Sequence, residues 1–162
     1  MRTAWRITTN PDPARAFSGA GAREAGGRWN SKGTAVVYLA DWPAAAILEM
    51  LVRVLQTGRL QAIPQYFLYA VTFEEADAEL LDPATLPSTW RTSSRDPVIQ
   101  VFGDTWAASR RTLLLQVPSA VAPHHLNYLL NPAHPRAKSL TITPPEPFTL
   151  DPRLTPQRPA RA

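Results

Sequence analysis

Apolar positions along the chain fall into short runs, broken by proline, glycine and acidic clusters, and the spacing of the runs changes several times. Trp5-Arg6-Ile7-Thr8 predicts a first strand. Residues 19–27 are small and glycine-rich, which predicts a loop. Asn30-Ser31-Lys32-Gly33 reads as a turn, and Thr34 to Ala40 as a strand leaving it, so the segment predicts a hairpin. In that exit arm Thr34, Val36 and Tyr38 share one face, with Val37 and Leu39 on the other. Residues 43–56 take up a helical period, with Asp41 as the expected N-cap, Pro43 in the first turn and Thr57-Gly58 as the stop. Leu48, Leu51, Val52 and Leu55 form its expected core stripe.

Further on, the pattern predicts a strand over 65–73, an acidic loop over 74–82 and a short helix near 98–107. A buried strand over 111–117, a short helical turn over 124–130 and a last strand over 139–143 follow. Strands and helices mix without a βαβ rhythm. This predicts an α+β fold: a single compact domain of mainly antiparallel sheets with flanking helices.

A length of 162 residues suits one domain, which can bury roughly two thirds of its unfolded surface. Apolar content of 44% agrees with a globular core. With no cysteine there is no disulfide, thiolate nucleophile or Cys-based zinc site. The N-terminal residues lack an apolar signal core, and no run approaches the ~18 apolar residues of a membrane span, so a cytoplasmic, membrane-free protein is expected. The 17 prolines are dense in the second half, and the stretch from 154 to 162 predicts a flexible Pro/Arg-rich tail after a domain over 1–153.

The net charge of +4 arises entirely after residue 81. The basic residues there are singles and one Arg110-Arg111 pair, without an interleaved basic and aromatic run. An anionic ligand or acidic partner fits this better than nucleic acid.

Few residues stand out chemically. Arg28 follows Gly26-Gly27, where backbone can approach a ligand closely and a guanidinium can fork onto phosphate, although a surface arginine after a flexible turn has the same sequence. Tyr38, inside an apolar strand, is either a core tyrosine or an aromatic platform for a flat ring. Glu49 is the odd carboxylate in Ala45 to Val52; it either pairs with Arg53 one helical turn on or sits beside a ribose to stabilise an oxocarbenium-like transition state. Ser119, at a strand end and outside any G-x-S-x-G elbow, suits a hydrogen-bonding ligand better than a nucleophile. Asn127 and Asn131 suit capping, with Asn127 a candidate ligand contact, and Arg6 and Lys138 are minor candidates for anion contacts. His124, His125 and His134 lack metal spacing, so structural roles and no metal are expected.

At these residues the chain resembles the RES domain family, the toxin half of Xre–RES toxin–antitoxin systems. The likeness runs through Trp5-Arg6, Gly26-Gly27-Arg28-Trp29-Asn30, Val36 to Ala40 and the helix to Glu49. It continues through Leu86-Pro87, Trp90, Trp106, Val117 to Val121, Asn127 to Pro132 and His134-Pro135. The ordered set, with Arg28, Tyr38 and Glu49 spaced by 10 and 11, is what makes it specific.

The resemblance implies a fold akin to ADP-ribosyltransferase toxins and destruction of NAD by hydrolysis or phosphorolysis, with inorganic phosphate as a co-substrate in the latter. It casts Arg28 on the NAD phosphates, Tyr38 at the nicotinamide, Glu49 on the ribosyl cation and Ser119 at the nicotinamide-ribose end. NAD is then a substrate and no cofactor is needed. The implied partner is an Xre-type antitoxin covering the site, with DNA bound only through that partner and a homodimer within the complex left open. The alternatives are mono-ADP-ribosyl transfer to a protein and, weaker, a non-enzymatic basic module for nucleic acid.

Overall fold

The computed structural model describes residues 1–56 and 64–154. One eight-stranded sheet organises it, in the order β4-β5-β6-β2-β1-β3-β7, with β8 also on β3. The strands are β1 (Arg2–Thr8), β2 (Val37–Ala40), β3 (Tyr66–Phe73), β4 (Ala78–Leu80), β5 (Leu114–Pro118), β6 (Leu126–Leu130), β7 (Thr141–Ile142) and β8 (Glu146–Phe148). The β4–β5 pair is parallel and the remaining pairs are antiparallel. The helices are α1 (Pro13–Ala16), α2 (Ala20–Ala25), α3 (Pro43–Gln56) and α4 (Pro97–Ser109). The α+β architecture with a mainly antiparallel sheet is therefore the one the sequence predicts.

Alternation along the strands builds a core on each face of the sheet. Val37, Leu39, Leu114, Tyr128 and Leu130 meet Phe17, Tyr69 and Val71 on one side. Val36, Leu115, Val117 and Leu129 meet Trp29, Trp90 and the α4 residues Ile99 and Trp106 on the other. The second core needs α4 to press onto main chain: a Cβ on Gly103 would lie 1.8 Å from the Trp29 carbonyl oxygen. A smaller cluster, Ala40 with Ala45, Ala46, Trp5 and Ile7, seats α3 over β1 and β2.

Several local expectations give way to tertiary structure. The 30–40 segment is no hairpin: β2 pairs with β1 and β6, partners far away in sequence. The glycine-rich stretch contains the helix α2. The acidic segment includes a 3-10 turn at Glu75–Asp77 and β4. The expected helical turn over 124–130 is the strand β6, because Leu126 to Leu130 bridge β2 and β5 and both ladders satisfy their main chain.

Asp41 does not cap α3. Its carboxylate accepts from the Leu126 N–H at 3.1 Å and lies 3.2 Å from His125 Nδ1, extending the β2–β6 contact instead. The α3 stripe is also displaced. Ala45, Ala46, Met50 and Val54 are buried, whereas Leu48 and Leu55 are 40% and 57% exposed. Small alanines against Ala40 let the helix lie close to the sheet, which turns the leucines outward. The Thr57-Gly58 stop and residues 155–162 of the expected tail lie outside the described residues.

Candidate active site

Strands β2 and β6, the end of β5 and helix α3 bring the expected residues together. Tyr38 on β2 and Asn127 on β6 share a sheet face, since Tyr38 pairs with Leu129 and Ala40 with Asn127. Ser119 follows directly on β5, whose Val117 pairs with Asn127. Over this face, α3 presents Glu49 and, one turn later, Arg53.

Of the two alternatives for Glu49, the ion pair with Arg53 is not formed. Glu49 Oε1 instead accepts from the Ser119 hydroxyl at 2.9 Å and from Asn127 Nδ2 at 2.8 Å. Oε2 has no hydrogen-bond partner among the described residues. Ser119 is 1% exposed, and its oxygen accepts from the N–H groups of Val121 and Ala122 at 3.2 and 3.0 Å. Those two donors turn the single hydroxyl proton toward Glu49. Asn127 is held by the same carboxylate, and its Oδ1 is buried without a partner among the described residues.

Tyr38 is fixed at its tip. Its hydroxyl donates to Asn30 Oδ1 at 2.7 Å and accepts from the Trp29 N–H at 3.2 Å. Burial pushes the phenol up to about 12 against the opposing pull of the Trp29 hydrogen bond and of Arg53 and Arg28. The fully buried Asn30 also donates to the carbonyls of Ala22, Ser31 and Thr34, so the whole 22–34 loop is tied to the tyrosine. Gly27 is required there: a Cβ would meet the Tyr38 hydroxyl oxygen at 2.4 Å. Gln100 on α4 braces the loop from outside through the Gly27 and Asn30 carbonyls.

Arg28 leaves that loop, and its Nη1 donates to the carbonyls of Trp90 and Ser93. Nε and Nη2 stay free of protein partners among the described residues. Desolvation lowers its pKa, opposed by the charges of Glu49 and Tyr38.

Two clefts meet at these side chains. One, of 610 Å³, runs along Gly19 to Trp29 and carries Arg6, Arg15, Arg28, Arg53 and Arg95, with Glu49 the lone carboxylate among the described residues that line it. The other, of 480 Å³, lies between β1, β2 and α3 and is walled by Trp5, Met50 and Tyr66. Arg6, Tyr38, Glu49, Arg53 and Asn127 line both. Volumes of this size suit a nucleotide-sized ligand.

Sequence reasoning places Arg28, Tyr38, Glu49, Ser119 and Asn127 at one locus, and the structure brings all five there. It gives less weight to Asn30 and Arg6, and it offers Arg53 only as an alternative ion-pair partner of Glu49. The signal for Asn30 is its place in the Gly-Gly-Arg-Trp-Asn block. Lys138 sits on the 3-10 turn Pro135–Ser139 and lines neither cleft. His125 contacts Asp41, and His134 caps that same turn, its Nδ1 accepting from the Arg136 N–H at 3.2 Å. No group of three metal-ligating side chains exists among the described residues.

The RES domain family model matches residues 3–151. This chain belongs to the RES domain family. A toxin of Sphingobium sp. named as a Prs ADP-ribosylating toxin is 41% identical over 154 residues, 93% of this chain and 94% of that protein. Toxin Res of Yersinia enterocolitica is 35% identical over 151 residues, and Toxin Res of Pseudomonas putida 36% over 155. Each of these alignments covers 93% of this chain and 97% of the relative. Among solved structures, the M. tuberculosis MbcT–MbcA toxin–antitoxin complex contains a chain that superposes with a TM-score of 0.75 at 21% identity, over 91% of this chain and 84% of that one. At that identity the likeness establishes the fold, a RES-type α+β domain. The family match spans the positions of Arg28, Tyr38, Glu49, Ser119 and Asn127.

Proposed function

We propose that this RES domain protein is the toxin of a toxin–antitoxin system and that it breaks the nicotinamide–ribose bond of NAD. The observation that carries this reading is the Glu49 carboxylate, clamped through Oε1 by Ser119 and Asn127 and left open at Oε2, where two clefts meet beside Arg28.

The pyrophosphate of NAD lies in the arginine-rich cleft, with the free edge of Arg28 as its fork. Tyr38, kept protonated by burial, borders the nicotinamide. Cleavage returns the C1′–N1 electron pair to the nicotinamide ring, which becomes neutral, and leaves positive charge on the ribose. Glu49 Oε2 stabilises that charge and takes the ribose 2′-hydroxyl, while Asn127 Oδ1 has acceptor capacity for a ribose hydroxyl. Ser119 positions Glu49 from behind. Water or hydrogen phosphate then adds through oxygen at C1′. With water a proton is released to solvent, and with hydrogen phosphate the proton stays on the new phosphate ester.

The name of the Sphingobium relative favours a second reading, in which the acceptor is a protein side chain and the product an ADP-ribosylated target. The expected partner is an antitoxin that occupies the open clefts; the chain of similar fold from M. tuberculosis is likewise held in a toxin–antitoxin complex.

The test is NAD consumption by purified, antitoxin-free protein, with and without inorganic phosphate, beside Glu49→Gln. NAD loss that falls by on the order of a hundredfold or more in the variant, with an unchanged thermal transition, is expected. Label from NAD retained on a protein band in lysate would select the transfer reading. Intact NAD and no labelled protein from folded wild type would sink both.

A further inference from the structure

We infer that Arg6 and Arg53 form an anion subsite that takes a phosphate-class oxyanion beside Glu49. Both guanidinium groups line both clefts, including the one that Arg28 does not reach.

Among the described residues neither arginine is neutralised: no ion pair involves either of them. Arg6 is held in place without being satisfied. The β1–β2 ladder has the single pair Trp5–Ala40, and Arg6 Nη1 donates to the Tyr38 carbonyl at 3.0 Å, an acceptor next to that short ladder. Its guanidinium carbon also stands 5.9 Å from the Phe17 ring centroid. Yet Nε is buried with no acceptor among the described residues. A buried donor left unpaired costs stability unless something supplies an acceptor, and positive charge left unpaired adds to that cost.

Arg53 increases the demand. It comes from α3, one turn after Glu49, and its charge acts directly on Arg6. Burial first, and then that repulsion, pull the Arg6 guanidinium down to about 10, so it still carries its charge at neutral pH. Two like charges on one wall, beside a single carboxylate already hydrogen-bonded to Ser119 and Asn127, are relieved by a multiply charged oxyanion. A carboxylate ligand would bring a single charge, whereas a phosphate brings more charge and more acceptor oxygens.

This inference deepens the NAD reading and rests on it for its chemistry, though binding of the anion does not require turnover. The oxyanion has two sources. Free hydrogen phosphate held here would stand beside the ribosyl cation as the second reactant. Its oxygen would form the bond to C1′ as the bond to nicotinamide nitrogen breaks, giving ADP-ribose 1″-phosphate and neutral nicotinamide. The alternative source is the pyrophosphate of NAD itself.

Phosphorus NMR line broadening of inorganic phosphate, with full-length NAD-free protein, compares wild type with Arg53→Gln and Arg6→Lys. Arg53 is exposed, so Arg53→Gln keeps the fold even if the Arg6 variant does not. NAD affinity is measured in parallel in a Glu49→Gln background. A phosphate affinity lower by about tenfold or more in Arg53→Gln, with NAD affinity retained, supports the subsite with free phosphate as occupant. A fall of that size in NAD affinity alone supports it with the dinucleotide pyrophosphate as occupant. Both affinities within about twofold of wild type overturn it. If wild type leaves NAD intact but binds phosphate through Arg53, the NAD reading fails and the subsite stands.

Discussion

At the scale of single residues, Ser119 and Tyr38 do more than occupy the site. The Ser119 oxygen accepts two main-chain N–H bonds and donates its proton to Glu49, so it fixes both the loop and the carboxylate. Ser119→Ala should destabilise the fold by about 1–3 kcal/mol, because a buried and a half-buried main-chain donor lose their acceptor. It should also slow turnover by about tenfold, because Glu49 loses one of its two clamps. Chemical denaturation and kcat on the folded fraction check this; a lower midpoint with unchanged kcat would make the serine purely structural. Tyr38 yields a pH prediction. Its pKa is raised from 10.0 to about 12, so the folded state prefers the protonated phenol. The stability this contributes is complete below pH 10 and is lost as pH rises through 12, on the order of 2–3 kcal/mol. Denaturation midpoints of wild type should therefore fall between those pH values more steeply than those of Tyr38→Phe.

At the scale of elements, α4 shows how closely a helix can be docked. Its Gly103 rests on the Trp29 carbonyl, which belongs to the loop that holds Tyr38. Gly103→Ala should cost about 3 kcal/mol or more, since the clash is with main chain and cannot be relieved by a side-chain rotation. A thermal melt checks the cost, and a parallel loss of activity in the surviving folded protein is expected because the loop must shift. The same elements show what is legible in the sequence. The β1, β3 and α4 segments read nearly as they fold, because their periodicity agrees with their final environment. The β6 segment does not, because His-Leu-Asn-Tyr-Leu-Leu has no alternation: it is a central strand buried on both faces, and such runs are ambiguous with helix. The α3 stripe misleads for a different reason. Large leucines dominate a sequence pattern, but the sheet selects the alanine side for close approach. The Glu49 role is readable only as an alternative to an Arg53 pair, because the deciding donors lie 70 and 78 residues away.

At the scale of the whole molecule, charge that looks scattered along the chain converges. Arginines from residues 6, 15, 28, 53 and 95 line one cleft, while most acidic side chains lie outside it. A basic surface for nucleic acid is therefore unnecessary to account for the charge. Convergence also requires the entire sheet. Arg28, Tyr38 and Glu49 precede the midpoint of the chain, whereas the residues that orient the carboxylate come from β6 and the end of β5. A product ending at residue 118 has the first three and neither Ser119 nor Asn127. Expressed in cells, it should permit normal growth where the full chain arrests it; arrest by the fragment would show that the clamp is dispensable.

The long reach between Glu49 and its two donors has a temporal meaning as well. A chain emerging from the ribosome presents its reactive carboxylate early and the groups that aim it late. Until β6 has been made and has inserted between β2 and β5, the unfinished polypeptide lacks the two donors that aim its carboxylate. The interval between those two moments is available for a neutralising partner to be at hand when the site first closes.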